Sequence, residues 1–198
     1  MSNGRTIWGP KLWGLIHSFS VNNNLKISNN LKHNYYIFYT SLMHIIPCII
    51  CKEHYGEIIY SLNKLEESEI TRNYLKKWGF DIHNIINKLL NKKIFLYKDF
   101  IEKYKNINNE DIYYIIYNVY KDFDYENMSL FKYDKIFNFF INFCSLYPNK
   151  EIKKNLKKLI KKKKFININT PNEFKKWFYK NIKLLENIIL EKDINNEK

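Results

Sequence analysis

From Trp8 onward the chain sets apolar side chains at positions 8, 12, 13, 15 and 16. This three-and-four spacing turns one face of a helix toward a core. Pro10 suits the first turn of that helix, where a missing N–H leaves nothing unpaired. The pattern predicts a helix over residues 7–17, a polar loop over 22–30 and a second helix over 31–46, with Tyr35, Phe38, Leu42, Ile45 and Ile46 along one side. Pro47 breaks it. A third helix is expected to begin at the cysteines that follow and to run to about Leu65, and residues 66–69 read as a charged connector. A fourth is expected over 71–90, with Leu75, Trp78, Ile82, Ile85, Ile86 and Leu89 inward. Nothing alternates with period two for long enough to require a sheet, so the expected fold class is all-α.

The second half repeats the first faintly. Thr71-x-Asn73-x-x-Lys76-Lys77-Trp78 recurs as Thr170-x-Asn172-x-x-Lys175-Lys176-Trp177, a shift of 99. Leu12, Trp13, Ile16 and His17 fall at a shift of 100 on Ile112, Tyr113, Ile116 and Tyr117, and the helix ending at Pro47 falls at 101 on the one ending at Pro148. An ancient duplication accounts for three registers agreeing within two residues. The competing account is coincidence, because Ile, Asn and Lys fill 89 of the 198 positions. Under the duplication, Cys48, Cys51, His83 and Asn84 become Asn149, Ile152, Ile182 and Lys183, leaving the second half a degenerate, non-catalytic partner packed on the first.

Composition narrows the class. With 45% apolar and 17% aromatic residues among 198, the chain can bury a core of one large or two small domains. The net charge of +13 comes from 33 basic residues, 31 of them lysine, and it is spread evenly: +6 over residues 1–100 and +7 over the rest. Lysine chosen by an AT-rich genome explains that excess without a nucleic-acid partner, which would cluster lysine and interleave arginine. Residues 150–164 hold nine lysines and one glutamate, either a solvated helix face or a site for an anionic partner. No uncharged window of 18 apolar residues exists, so no membrane span is expected. The first residues lack a signal-peptide layout, which points to the cytosol.

Cysteine carries the chemistry. Pro47-Cys48-Ile49-Ile50-Cys51 places two sulfurs one helical turn apart at a helix N-terminus, where unpaired N–H groups favour thiolate. A redox disulfide is one reading. A zinc site drawing on Cys48, Cys51, His54 and His44 is another, and an inert pair a third. An all-helical dithiol protein needs an electron acceptor, and a flavin is the natural one. Trp13, His17, Trp78, His83, Asn84, Asn87 and Lys92 are residue types able to sandwich its rings and hold its ribose and pyrophosphate. Each, taken singly, also has an ordinary role in a helical core.

Over residues 5–105 the sequence resembles the Erv/ALR FAD-linked sulfhydryl oxidases, viral type. The blocks that carry the resemblance are Trp8-Gly9-Pro10-x-x-Trp13-x-x-x-His17, Pro47-Cys48-x-x-Cys51, Trp78, and His83-Asn84-x-x-Asn87-x-Leu89 continuing to Lys92. The resemblance implies an FAD-binding four-helix bundle with a short extra helix over residues 1–105. Over 106–198 it implies a second helical domain like the degenerate copy of baculoviral members, forming a pseudo-dimer. Cys51 would be the flavin-proximal thiol and Cys48 the one reached by substrate, with electrons passing to FAD and then to O2 to give H2O2. Gly9, Trp13 and His17 would line the flavin from the first helix, with His54 and Tyr55 near the cysteines. Trp78, His83, Asn84, Asn87, Leu89 and Lys92 would hold the adenine and ribose-phosphate end, and Lys103 and Tyr104 fall at late FAD contacts.

Three departures stand out. Gly9-Pro10 replaces the family's Gly-Arg, Ile46 replaces a tyrosine, and no second CxxC is present. Protein dithiols or a thioredoxin-like carrier must then reach Cys48 directly. The implied role is disulfide formation in virion proteins, in host cytoplasm or virion, with a homodimer left open and Cys144 a buried thiol. The rival readings are a non-catalytic basic helical adaptor and a small zinc module.

Overall fold

The computed structural model describes residues 3–23 and 26–192, without the side chains of residues 3–5 and 163; two positions of the loop expected over 22–30 fall outside it. Helices are α1 (Asn3–Val21), α2 (Asn29–Leu42), α3 (Ile49–Glu57), α4 (Arg72–Leu89), α5 (Tyr97–Tyr104), α6 (Asn109–Lys121), α7 (Leu130–Leu146), α8 (Lys150–Ile160), α9 (Lys163–Ile166) and α10 (Pro171–Ile189). The described residues contain no strand, in keeping with the all-α expectation.

Local chemistry sets the boundaries. Ser28, Thr71, Asn108, Ser129, Asn149 and Thr170 each accept a backbone N–H at the start of α2, α4, α6, α7, α8 and α10. Glu173 answers Thr170 to close a capping box. At the other end, Asn91 (φ 50°) and Glu191 (φ 53°) turn the chain out of α4 and α10 through left-handed conformations.

Three helices differ from the pattern: the first spans Asn3–Val21 rather than 7–17, so Pro10 lies inside it and not in its first turn. The second helix stops at Leu42 rather than Ile46, because Pro47 pushes the preceding residue out of helical conformation. The chain tightens through His44 N–H to Ser41 O and Ile45 N–H to Leu42 O, which keeps Ile45 and Ile46 buried. The third helix ends at Glu57 and widens into a π-helical turn (Ile58–Leu62), burying both Ile58 and Ile59. Leu89, expected inward, is 53% exposed at the end of α4; α4 ends at that residue, so its last turn lies at the edge of the bundle.

Helix α1 packs against α4, α5 and α6; α2 lies along α7; α10 rests on α6 and α8. Gly79 allows α4 to approach α1, since a Cβ there would meet Ser20 Oγ at 2.8 Å. One hydrophobic core runs through both halves of the chain. At its centre Phe38 stacks on Phe19 (4.5 Å) and on Phe139 (5.1 Å). Toward the solvent, Lys11 on α1 pairs with Asp111 on α6. Cys144 is fully buried, and burial pushes its thiol pKa well up. Among the described residues no helix is long and apolar enough to cross a membrane.

Candidate active site

A mostly apolar cleft of about 730 Å³ opens between α1, α3, α4, the segment after α4, and α5. Its size falls in the range of cofactor pockets. From α1 come Trp8, Gly9 and Trp13, spaced to share one helical face; from α3 come Cys51, His54 and Tyr55. His83, Asn87 and Leu89 line it from α4, Lys92 and Lys93 follow, and α5 adds Lys103 and Tyr104.

The aromatic wall is tightly built. Trp13 stacks on His83 at 4.3 Å and lies parallel to His17 at 5.1 Å. His17 is fully buried, and its Nε2 is 2.7 Å from His83 Nδ1. Burial, with His83 and Lys103 nearby, holds His17 well below the usual histidine pKa. Burial and the charges of Lys103 and Lys92 hold His83 at about 4. Both rings are therefore neutral at pH 7, and one proton joins them. Among the described residues His17 Nδ1 has no hydrogen-bond partner.

The asparagines do different work from the ring sandwich. Asn84 holds Phe95 from both sides, donating to its carbonyl at 3.1 Å and accepting its N–H at 2.9 Å. Asn87 donates to the Lys93 carbonyl at 3.0 Å. Together they fold the segment after α4 back over the cleft, setting the Phe95 ring edge-on to His83 at 4.9 Å.

Cys48 and Cys51 form a disulfide, with Cα atoms 5.2 Å apart. Cys48 is the N-cap of α3, its sulfur accepting the Cys51 N–H at 3.2 Å. One turn on from Cys51, Tyr55 anchors helix α3, its hydroxyl donating to the Tyr39 carbonyl at 3.0 Å. Cys51 faces the cleft wall, whereas Cys48 is not part of it. Among the described residues no three His, Cys, Asp or Glu side chains are grouped to hold a metal; the set Cys48, Cys51, His54 and His44 is not assembled into a site.

The cleft thus gathers Gly9, Trp13, Cys51, His54, Tyr55, His83, Asn87, Leu89, Lys92, Lys103 and Tyr104. Three residues expected there lie behind the wall instead. Trp78 is buried on Tyr39 and donates from Nε1 to the Asn63 carbonyl at 3.0 Å. His17 backs Trp13 and His83, and Asn84 clamps the Phe95 segment. Sequence reasoning missed Trp8 as a wall residue, although the quoted motif contains it. It also missed Phe95, Asn108 and Asp111; the last two arrive from the second half by packing, which no local pattern signals. The wall fits a flavin dinucleotide. Aromatic rings can cover its planar groups, lysines at the rim can meet its pyrophosphate, and a redox disulfide sits at the edge.

A second cleft of about 810 Å³ adjoins the first, and the two share Lys103, Asn106 and Asn108. Tyr113, Tyr114, Tyr117, Leu190 and Lys192 line it. Their numbers lie 100 above Trp13, Gly14, His17, Leu90 and Lys92.

Residues 10–105 match the model of the Erv1/Alr family. A "Probable FAD-linked sulfhydryl oxidase" of Acanthamoeba polyphaga mimivirus is 30% identical over 95 residues, 48% of this chain and 66% of that protein. An FAD-linked sulfhydryl oxidase of African swine fever virus is 31% identical over 110 residues, 53% of this chain and 82% of that protein. No solved structure matches the chain.

Proposed function

This chain belongs to the Erv1/Alr family, an enzyme of the FAD-linked sulfhydryl oxidase kind, and we propose that it oxidises protein dithiols through Cys48 and Cys51. The observation that carries this reading is the disulfide at the head of α3 with one sulfur on the wall of an aromatic, lysine-rimmed cleft. A substrate thiolate attacks Cys48 Sγ, breaking the Cys48–Cys51 bond and releasing Cys51 as thiolate; a mixed disulfide forms. A second substrate thiolate displaces Cys48, and the substrate leaves as a disulfide. Bound FAD supplies the acceptor for the two electrons left on the dithiol, and O2 finally takes them. The overall balance is two thiols and O2 giving one disulfide and H2O2.

The chain's own residues prepare this chemistry. The N-terminus of α3 stabilises thiolate. Trp13, His83 and Tyr104 exclude water, and Lys92 and Lys103 meet the dinucleotide's charge. His17 holds the His83 ring in place through the contact between its Nε2 and His83 Nδ1. Trp78, His17 and Asn84 act behind the wall, fixing α4 and the Phe95 segment. Protein dithiols, or a thioredoxin-like carrier, reach Cys48 without an internal shuttle pair. The relatives are viral; on this reading the substrates are virion proteins assembled in host cytoplasm.

Residues 106–198 form, on this reading, a degenerate second copy packed as a pseudo-dimer. Supporting it, positions related by the repeat meet each other: Lys11 pairs with Asp111, and Phe38 stacks on Phe139. A pseudo-twofold axis between α1 and α6 and between α2 and α7 brings equivalents together in this way. Asn149 caps α8 as Cys48 caps α3, and the tyrosine-lined cleft stands where a second flavin site would be.

The test is the visible spectrum of the purified protein before and after dithiothreitol in air. A flavin band, with oxygen uptake on adding thiol, is expected. A protein that stays colourless after incubation with FAD would overturn the reading.

A further inference from the structure

Close to the disulfide, the turn before α3 meets the start of α7 through His44 and Phe131. Ile49, in the first turn of α3, is 74% exposed, and Ile50 53%. Leu130 and Phe131, in the first turn of α7, are 65% and 66% exposed. His44, four residues before Cys48, joins them, with its ring edge-on to Phe131 at 6.1 Å. His44 thus joins the open apolar start of α7 to the turn that leads into Cys48 and Ile49, and Ile50 continues from there into the cleft.

The charge around the patch has one sign where it converges. Lys52, Lys135 and Lys132 are the charges felt by His44, and with burial they hold it at about 4, neutral at physiological pH. Lys135 lies 5.2 Å over the Phe131 ring, and Lys132 5.7 Å over Phe123. None of these three lysines forms an ion pair among the described residues, although Asp124 is near enough to feel the charge of Lys132. Such a surface is complementary to carboxylates.

We propose that this apolar, lysine-edged platform docks the reduced protein substrate, and that it selects segments whose cysteine is flanked by an apolar side chain and by Asp or Glu. The proposal rests on the dithiol-oxidase reading and adds its substrate class. It also gives the second half a direct part in substrate capture, since Leu130, Phe131, Lys132 and Lys135 all come from α7. An apolar side chain would cover Ile49 and Phe131 while the carboxylates meet the lysines. That arrangement brings the thiolate to the half-buried Cys48 sulfur.

The experiment uses the full-length, flavin-loaded protein and three reductants: dithiothreitol, and two dithiol peptides identical except for acidic or basic residues around the cysteines. The acidic peptide should be oxidised with kcat/KM about 5-fold or more above the basic one, a preference erased by high salt. Lys132→Glu with Lys135→Glu should reverse that preference, and Phe131→Ala should raise KM for both peptides. Dithiothreitol turnover and the flavin spectrum should stay unchanged in all variants. Equal oxidation of the two peptides by the unaltered protein, with dithiothreitol still oxidised, would overturn the docking proposal and leave the oxidase intact. No turnover of any reductant would instead overturn the oxidase reading. The peptide comparison needs no variant, so misfolding of a substituted protein cannot rescue the proposal.

Discussion

The buried His17–His83 pair should make the fold acid-sensitive well above the carboxylate range. His83 titrates near 4 in the folded protein and at 6.5 unfolded, and His17 is shifted in the same direction. A histidine held below its unfolded value binds fewer protons when folded, so its contribution is complete above 6.5 and is lost as pH falls toward 4. Between pH 7 and pH 5 the His83 shift alone corresponds to about 2 kcal/mol, an upper figure for a ring at the edge of a cleft. For a chain of this size that lowers the melting midpoint by roughly 4–8 °C. The assay is thermal unfolding by far-ultraviolet circular dichroism from pH 7 to 5. It would be run in a His44→Gln background, because His44 also titrates near 4 and would add to the slope. Glu173 and Glu186 are held below their ordinary values and lose their contribution chiefly below this window. His83→Gln should flatten the dependence. A midpoint unchanged from pH 7 to 5 with both histidines present would refute the neutral pair.

Cys51→Ser should abolish thiol-driven oxygen consumption while leaving the flavin bound, read from the visible spectrum; normal turnover would sink the disulfide mechanism. Phe38→Ala removes a fully buried ring from contact with Phe19 and Phe139 and should cost about 3–5 kcal/mol by urea denaturation. Loss should occur in one transition, whereas separate transitions would show that the two halves fold independently. Cys144, buried with its thiol pKa raised, should resist alkylation until the protein unfolds, as mass spectrometry would show.

The helical pattern was legible wherever one face is buried. Tyr35, Phe38 and Leu42 recur at helical spacing and all are inside. Boundaries were harder, because Pro47 acts on the residue before it and the π-helical turn after Glu57 has no periodic signature. At the site, the residue types were readable and their depth was not. Trp78 and Trp13 look alike in sequence, yet a partner at Asn63 draws one into the core while the other reaches the cleft. Asn84 and Asn87 belong to one motif, and only the return of the chain at residues 93–95 shows that both hold backbone. Asp111 could not be placed in the wall without knowing that α6 lies on α1.

That packing explains why a second half without cysteines at the matching positions would persist. Helix α1 lays a face on α6, and α2 lays one on α7. Covering those faces with a separate copy would make folding depend on protein concentration, whereas a covalent second copy makes the same contact intramolecular. Once α6 and α7 serve mainly as cover, their outward positions are free of the constraints of flavin binding. Tyr114 then stands where the first half has Gly14, with Lys11 at 4.9 Å over its ring. Leu130 and Phe131 likewise stand open, with Phe131 against His44, four residues before Cys48. On the proposed duplication the asymmetry between halves has a direction: chemistry would be kept where Cys51 meets the cleft, and the second half would serve access to Cys48.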